Sequence, residues 1–131
     1  GLAGNVGTQS AVISVRGIAL GHIQSRNVIK LFLREILIGF LMAITIAVFI
    51  TLIFLIFQMD YRVGIVLGVS LLIEFVVACG LGILFPVLFK KIGIDPAVSS
   101  SPLITTGLDL IGFTLYFLVA LTLFVYLGVL N

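Results

Sequence analysis

The fold class of this chain is decided by residues 36–57, ILIGFLMAITIAVFITLIFLIF. These 22 residues carry no charged side chain, and about 20 apolar residues are enough to cross the hydrocarbon core of a bilayer as a helix. Membrane β-barrels use shorter strands in which polar and apolar residues alternate. The stretch therefore predicts a transmembrane α-helix and an all-α fold.

The composition extends this prediction to the whole chain. Hydrophobic residues make up 62% and charged residues 9% of the 131 residues, and the mean hydropathy is +1.43. A soluble domain of this size leaves much of its surface in water and has no room to hide so many apolar side chains. The net charge of +2 is spread along an apolar chain, which is not the charge pattern of a nucleic-acid-binding protein. We therefore expect an integral membrane protein with the lipid bilayer, and no nucleic acid, as its partner.

We predict one transmembrane domain over residues 1–131 with four spans, at residues 2–20, 36–57, 63–89 and 103–130. The linker at residues 22–35 has basic residues on one helical face and apolar residues on the other, so we predict an amphipathic helix at the membrane interface. The first residue is Gly1 rather than Met, and we interpret the chain as a piece of a longer polypeptide.

The distribution of basic residues predicts the orientation. The linkers at residues 22–35 and 90–102 carry five Lys or Arg residues, whereas the linker between the second and third spans carries Arg62 alone. Because cytoplasmic loops are enriched in Lys and Arg, we expect both of these linkers in the cytoplasm and both ends of the chain outside the cell.

Asp109 is an ionisable residue within the last span, about 10 Å of helix rise beyond Pro102. A charged group at the centre of a span costs about 2.5–3.5 kcal/mol on insertion scales, so its presence needs a reason. Thr105, Asp109 and Gly112 share one helical face, and Thr106 lies beside them. We interpret this stripe as the lining of a cation path with the Asp109 carboxylate as a ligand. The alternative is a structural aspartate that is protonated or hydrogen-bonded to a neighbouring helix.

Three further polar residues lie within predicted spans. Glu74 is near the middle of the third span, where it is either a second cation ligand, a proton site or a neutral acid that joins two helices. Asn5 and Gln9 share one face of the first span. Their amide oxygens suit a hydrated hard cation, although such groups also form hydrogen bonds between membrane helices.

Motifs for catalysis are missing from the sequence. Neither His-Glu-x-x-His nor Gly-x-Ser-x-Gly occurs, and neither a Walker loop nor a glycine-rich nucleotide fingerprint is present. We therefore predict that the protein is not an enzyme, that it has no catalytic residues and that it binds no organic cofactor.

Several motifs resemble the MgtE family of magnesium transporters and channels. The matching stretches are Gly4 to Ser10, Val15 to Ala19, Arg34 to Ile36, Asp95 to Ala97, and Ser101 to Asp109. The resemblance implies a homodimer with five helices in each protomer and with Mg²⁺ as the transported ion. It also implies a pore on the dimer axis, in which Asp109 is the central magnesium site and in which Asn5, Thr105 and Thr106 add polar surface.

The resemblance leaves two parts of the family pattern unmatched, namely the first helix and the cytoplasmic regulatory domains. We therefore expect four of the five family spans here, in a cell-membrane channel that passes Mg²⁺ down its electrochemical gradient. One alternative is selectivity for another divalent cation such as Mn²⁺ or Co²⁺. The other is a non-conducting assembly subunit whose intramembrane carboxylates only hold helices together.

Overall fold

Four α-helices make up the computed structural model, which describes residues 1–21, 25–95 and 102–129. The helices are α1 (Leu2–Ala19), α2 (Ser25–Ile56), α3 (Tyr61–Lys91) and α4 (Pro102–Tyr126). The predicted all-α fold is confirmed. Residues 22–24 and 96–101 of the two predicted cytoplasmic linkers, and residue 130 of the last predicted span, lie outside the described residues.

The helix α2 begins earlier than the predicted second span. Residues 25–35, which we predicted as a separate interfacial linker, form the first turns of one helix that continues to Ile56. The first glycine or proline after this start is Gly39, and it lies where α2 packs closely on α3. Glu35 is only 5% exposed, so the end of the predicted linker is inside the bundle and not at its surface.

Three helices are long and apolar enough to cross a membrane. They contain the candidate spans Asn27–Ile56, Tyr61–Lys91 and Ile104–Tyr126. These spans make the protein a multi-pass membrane protein, and their many exposed apolar side chains form a surface suited to lipid. Within the described part of the chain, α1 does not meet this measure of length and composition. A transmembrane position for residues 2–20 therefore remains a prediction.

The helix α3 is the centre of the bundle, because α1, α2 and α4 all pack against it. Glycines allow these close contacts. A Cβ at Gly7 of α1 would lie 2.7 Å from the carbonyl oxygen of Ala78, and a Cβ at Gly39 of α2 would lie 2.6 Å from Cys79 Sγ. Small residues let membrane helices approach closely enough for van der Waals contact between backbones.

The helix α4 completes the bundle by packing against α1 as well as α3. Ile104 and Leu108 of α4 form a buried apolar cluster with Ala11 of α1. Consecutive helices run in opposite directions through the bundle, so α1 and α4 are antiparallel neighbours. The candidate cation ligands of the first and last helices are thereby brought to one boundary.

Candidate functional site

Asp109 lies on α4 at the boundary with α1. Its side chain is half-buried, and its carboxylate rests on the backbone of α1 at Gly4. A Cβ at Gly4 would overlap Asp109 Oδ1 and would lie 2.9 Å from Asp109 Cγ. The carboxylate therefore depends on a glycine at this position, and the Asp109 side chain stays partly exposed.

Two threonine hydroxyls continue the polar boundary one helical turn away. Thr8 Oγ1 lies 3.3 Å from Thr105 Oγ1. The Thr8 hydroxyl also donates a hydrogen bond of 2.9 Å to the carbonyl oxygen of Gly4. Because a hydroxyl has one hydrogen to donate, Thr105 is the donor in the contact between the two threonines. The α1–α4 boundary thus presents a carboxylate and a pair of hydroxyls in succession.

Asn5 and Gln9 lie beside this boundary on the exposed face of α1. Thr106 is also exposed, on α4 next to Thr105. The structure therefore places Asn5 and Gln9 next to Gly4 and Thr8 on α1 and Thr106 next to Thr105 on α4, all three on the outer surface of the chain. Amide groups that face hydrocarbon without a hydrogen-bond partner cost several kcal/mol, so in a membrane this face is suited to cover by protein or water and not by lipid tails.

Glu74 is buried between α3 and α4, with 5% of its surface exposed. Its carboxylate packs on Gly112, where an added Cβ would lie 3.0 Å from Glu74 Oε1. Glu74 and Asp109 are close enough to interact electrostatically. In the described residues we find no hydrogen bond to the Glu74 carboxylate. The structure therefore brings the two predicted acidic residues close together. Asp109 belongs to α4, and Glu74 of α3 packs against the same turn of α4 at Gly112.

The described residues contain no group of three or more His, Cys, Asp or Glu side chains that could hold a metal ion. One chain therefore offers Asp109 as a partly accessible carboxylate, with Glu74 buried behind it. Mg²⁺ usually keeps several of its waters and binds through one or two carboxylates. This arrangement suits a hydrated divalent cation better than a fully dehydrated ion in a closed protein cage.

Sequence reasoning missed three contributors to this region. Gly4 and Thr8 were assigned no role, although they form the α1 side of the boundary with Asp109 and Thr105. Glu35 was assigned to a surface linker, yet its carboxylate is buried and accepts a hydrogen bond from Ser10. The available signal for Glu35 was its position immediately before the charge-free run at residues 36–57.

Comparisons with known proteins identify a family that this chain resembles over most of its length. The sequence profile of the family MgtE, described as "Divalent cation transporter", matches residues 1–119. The chain is 38% identical over 120 residues to "Magnesium transporter MgtE" of Enterococcus faecalis, and 34% identical over 125 residues to the protein of that name from Thermus thermophilus. The Bacillus subtilis protein of that name is 30% identical over 120 residues. Each match covers 92% of this chain and 26–27% of the relative, so the chain spans about a quarter of the length of these relatives.

Proposed function

Because the chain belongs to the MgtE family of divalent cation transporters, we propose that it forms part of the pore of an Mg²⁺ channel. The relatives with which it aligns are named magnesium transporters, and the family is a transport family and not an enzyme family. In this proposal, Mg²⁺ passes along the α1–α4 boundary and is held transiently at Asp109.

The position of the Asp109 carboxylate carries the proposal. It lies at the α1–α4 boundary, where it is partly exposed, against the backbone of Gly4 and one helical turn from the hydroxyls of Thr8 and Thr105. A carboxylate attracts a divalent cation, while hydroxyl and carbonyl oxygens exchange hydrogen bonds with the waters that the ion retains. Binding through water holds the ion weakly enough for it to leave, which conduction requires.

In this proposal a second copy of the chain supplies a second Asp109 carboxylate, which one copy lacks. If the exposed faces of α1 in two protomers meet at a two-fold axis, Asn5 and Gln9 line a polar path and two Asp109 carboxylates face one ion. Two negative charges neutralise one Mg²⁺, and the repulsion between two bare carboxylates favours occupancy by a cation. We therefore propose a homodimer with the pore on its axis.

The membrane potential supplies the driving force for this channel. Moving two positive charges inward is worth about 4.6 kcal/mol per 100 mV, so inward flow needs no ATP. In the proposed orientation the linkers at residues 22–35 and 90–102 are cytoplasmic and both ends of the chain are outside the cell. The excess of Lys and Arg in these linkers supports this orientation.

Replacing Asp109 with Asn in the full-length protein tests the proposal. The substitution preserves the shape of the side chain and removes its charge, so we expect the Mg²⁺ concentration for half-maximal thermal stabilisation to rise at least tenfold. Mg²⁺ flux into vesicles should fall in parallel. Titrations with Mn²⁺ and Co²⁺ on the same proteins measure the ion preference of the site.

Asp60→Asn is the matched control, because Asp60 is exposed and caps the start of α3 by accepting a hydrogen bond of 2.9 Å from the Arg62 backbone amide. It makes the same chemical change away from the boundary, and we expect unchanged Mg²⁺ affinity. Equal affinity in the unmodified and Asp109→Asn proteins would refute the site assignment. Mg²⁺ binding without flux would favour the non-conducting alternative.

A further inference from the structure

Glu35 is a buried acidic residue that the proposed cation path does not use. Only 5% of its surface is exposed, and its Oε2 atom accepts a hydrogen bond of 2.8 Å from the hydroxyl of Ser10. Ser10 is itself 1% exposed. The bond joins α1 to α2 across the interior of the bundle. Hydrogen bonds to charged acceptors contribute more than neutral ones, and leaving either partner alone in an apolar interior is unfavourable.

The surroundings of this hydrogen bond are apolar and tightly packed. Cys79 of α3 lies close to both Ser10 and Glu35, and it also forms a buried cluster with Ala3, Val6, Ala43, Phe75 and Ala78. Contacts within such an apolar cluster are not directional. The Ser10–Glu35 pair therefore adds a directional contact to a region where the three helices α1, α2 and α3 meet.

Apart from one long hydrogen bond of 3.5 Å from the Ser14 hydroxyl to the carbonyl oxygen of Ile83, the α1–α3 interface defines the axial position of α1 only weakly. It is formed by small residues, with Gly7 of α1 against Ala78 and Gly82 of α3. Faces of this kind allow close approach but present few ridges that resist sliding. A single buried polar pair can define the register of two packed helices.

The same helix carries the proposed cation site on its other side. Gly4 and Thr8 of α1 contact Asp109 and Thr105 of α4, and Ser10 follows Thr8 by two residues in the same rigid helix. Any axial shift or rotation of α1 therefore moves the surface on which the Asp109 carboxylate rests.

We propose that Glu35 is a positioning residue for the cation site: by accepting the hydrogen bond from Ser10 it fixes α1 in the register that places Gly4 beneath Asp109. This inference rests on the proposed function for its effect on Mg²⁺. Its geometric part, the position of α1 against α4, is measurable without any ion.

The first test compares Ser10→Ala, Glu35→Leu and Glu35→Gln in the full-length protein. Ser10→Ala and Glu35→Leu remove the hydrogen bond, and we expect each to raise the half-saturating Mg²⁺ concentration about five- to tenfold. The double variant should be no worse than Glu35→Leu alone, because both changes remove one interaction. Glu35→Gln keeps an acceptor oxygen and should stay within about twofold of the unmodified protein.

Ser70→Ala is the matched control. Ser70 is a fully buried serine whose hydroxyl donates only within its own helix, to the carbonyl oxygen of Val66 at 2.7 Å. It makes the same substitution as Ser10→Ala without removing a link between helices, so we expect an unchanged half-saturating concentration. A purely structural role for Glu35 would lower the amount of folded protein and the maximal flux while leaving that concentration unchanged, and that result would overturn the proposal.

The second test measures the position of α1 directly. Thr8→Cys and Thr105→Cys together place two thiols at the α1–α4 contact, and we expect a disulfide between them to form at least threefold more slowly when Ser10→Ala or Glu35→Leu is added. The native Cys79 is fully buried and can remain. An unchanged rate in both variants would overturn the proposal. If Glu35→Leu does not fold, the rate of disulfide formation with Ser10→Ala alone tests the proposal. If Asp109→Asn leaves Mg²⁺ affinity unchanged, the proposed function fails while this rate still tests the role of Glu35.

Discussion

Gly4 leaves the space that the Asp109 carboxylate occupies. Any side chain at this position would overlap Asp109 Oδ1, so the identity of one residue on α1 determines where a carboxylate of α4 can rest. Because α4 is a regular helix at this point, the carboxylate can yield only by changing its rotamer. A changed rotamer would move the charge from its position against Gly4 at the α1–α4 boundary.

Gly4→Ala tests this contact by adding one methyl group to α1. Overpacking costs typically about 1–3 kcal/mol, and we expect the displaced carboxylate to raise the half-saturating Mg²⁺ concentration about tenfold, measured by titration in the full-length protein. Gly107→Ala is the control, because a Cβ at Gly107 on α4 meets nothing within 4 Å. Similar affinities in the two variants would show that the Gly4 contact does not govern the site.

The sequence was sufficient to propose Asp109 as a cation ligand but not to predict its surroundings. A lone carboxylate in an apolar span can be recognised from the sequence, because no Lys or Arg of the same span neutralises it. The partners Gly4 and Thr8 lie about a hundred residues earlier, and only the antiparallel packing of α1 on α4 brings them to Asp109 and Thr105. Spacing along one helix carries no information on such contacts.

At the scale of the elements, α1 and α3 cross where neither helix carries a large side chain. A Cβ at Gly82 would overlap the carbonyl oxygen of Gly7 and lie 3.1 Å from Ser10 Cβ. Backbone atoms cannot rotate away as a side chain can. The separation of the two helices is therefore set by the absence of side-chain atoms at these glycines.

Gly82→Ala should push α1 away from α3. We expect the free energy of unfolding to fall by about 1–3 kcal/mol, measured in mixed micelles of increasing SDS fraction by circular dichroism. Gly80→Ala, two residues away, is the control: its Cβ would meet the ends of the Phe32 and Ile36 side chains at 3.3 and 3.4 Å. These side chains can move, and alanine is the better helix former, so we expect a change below about 1 kcal/mol. Equal losses in both variants would contradict this account.

The helices themselves were more predictable than their junctions. Long apolar runs with at most one charged residue each define α2, α3 and α4, because a bilayer imposes both length and apolarity on a span. The start of α2 was not predictable in this way. The basic residues Lys30 and Arg34 indicated an interface, while the burial of Glu35 depends on Ser10 of a different helix.

At the scale of the whole molecule, α1 has two polar faces with different partners. Ser10 and Ser14 are buried against the other helices, and Ser14 Oγ lies 3.5 Å from the carbonyl oxygen of Ile83. Asn5 and Gln9 face outward. The proposed dimer covers the face with Asn5 and Gln9. This polar outward face distinguishes α1 from α2, whose outward face is apolar.

Cross-linking in native membranes tests which face lies between protomers. We expect Gln9→Cys to give a covalent dimer with a short bifunctional maleimide, because the proposed axis brings two copies of this face together. Phe49→Cys on the exposed face of α2 is the control and should remain monomeric, since it faces lipid in the same proposal. Dimers from Phe49→Cys alone would place the axis on α2 instead.

The modest apolarity of α1 also bears on the order in which the protein is made. Among the described helices, α1 comes first along the chain, yet it packs on α3 and α4, which the ribosome completes later. A helix with so many polar and small side chains gains little from lipid alone. In the proposed four-span arrangement we therefore expect α1 to be stabilised mainly by packing on α3 and α4, which are synthesised after it. We expect its stable insertion to be a late event of biogenesis, even though α1 is synthesised early.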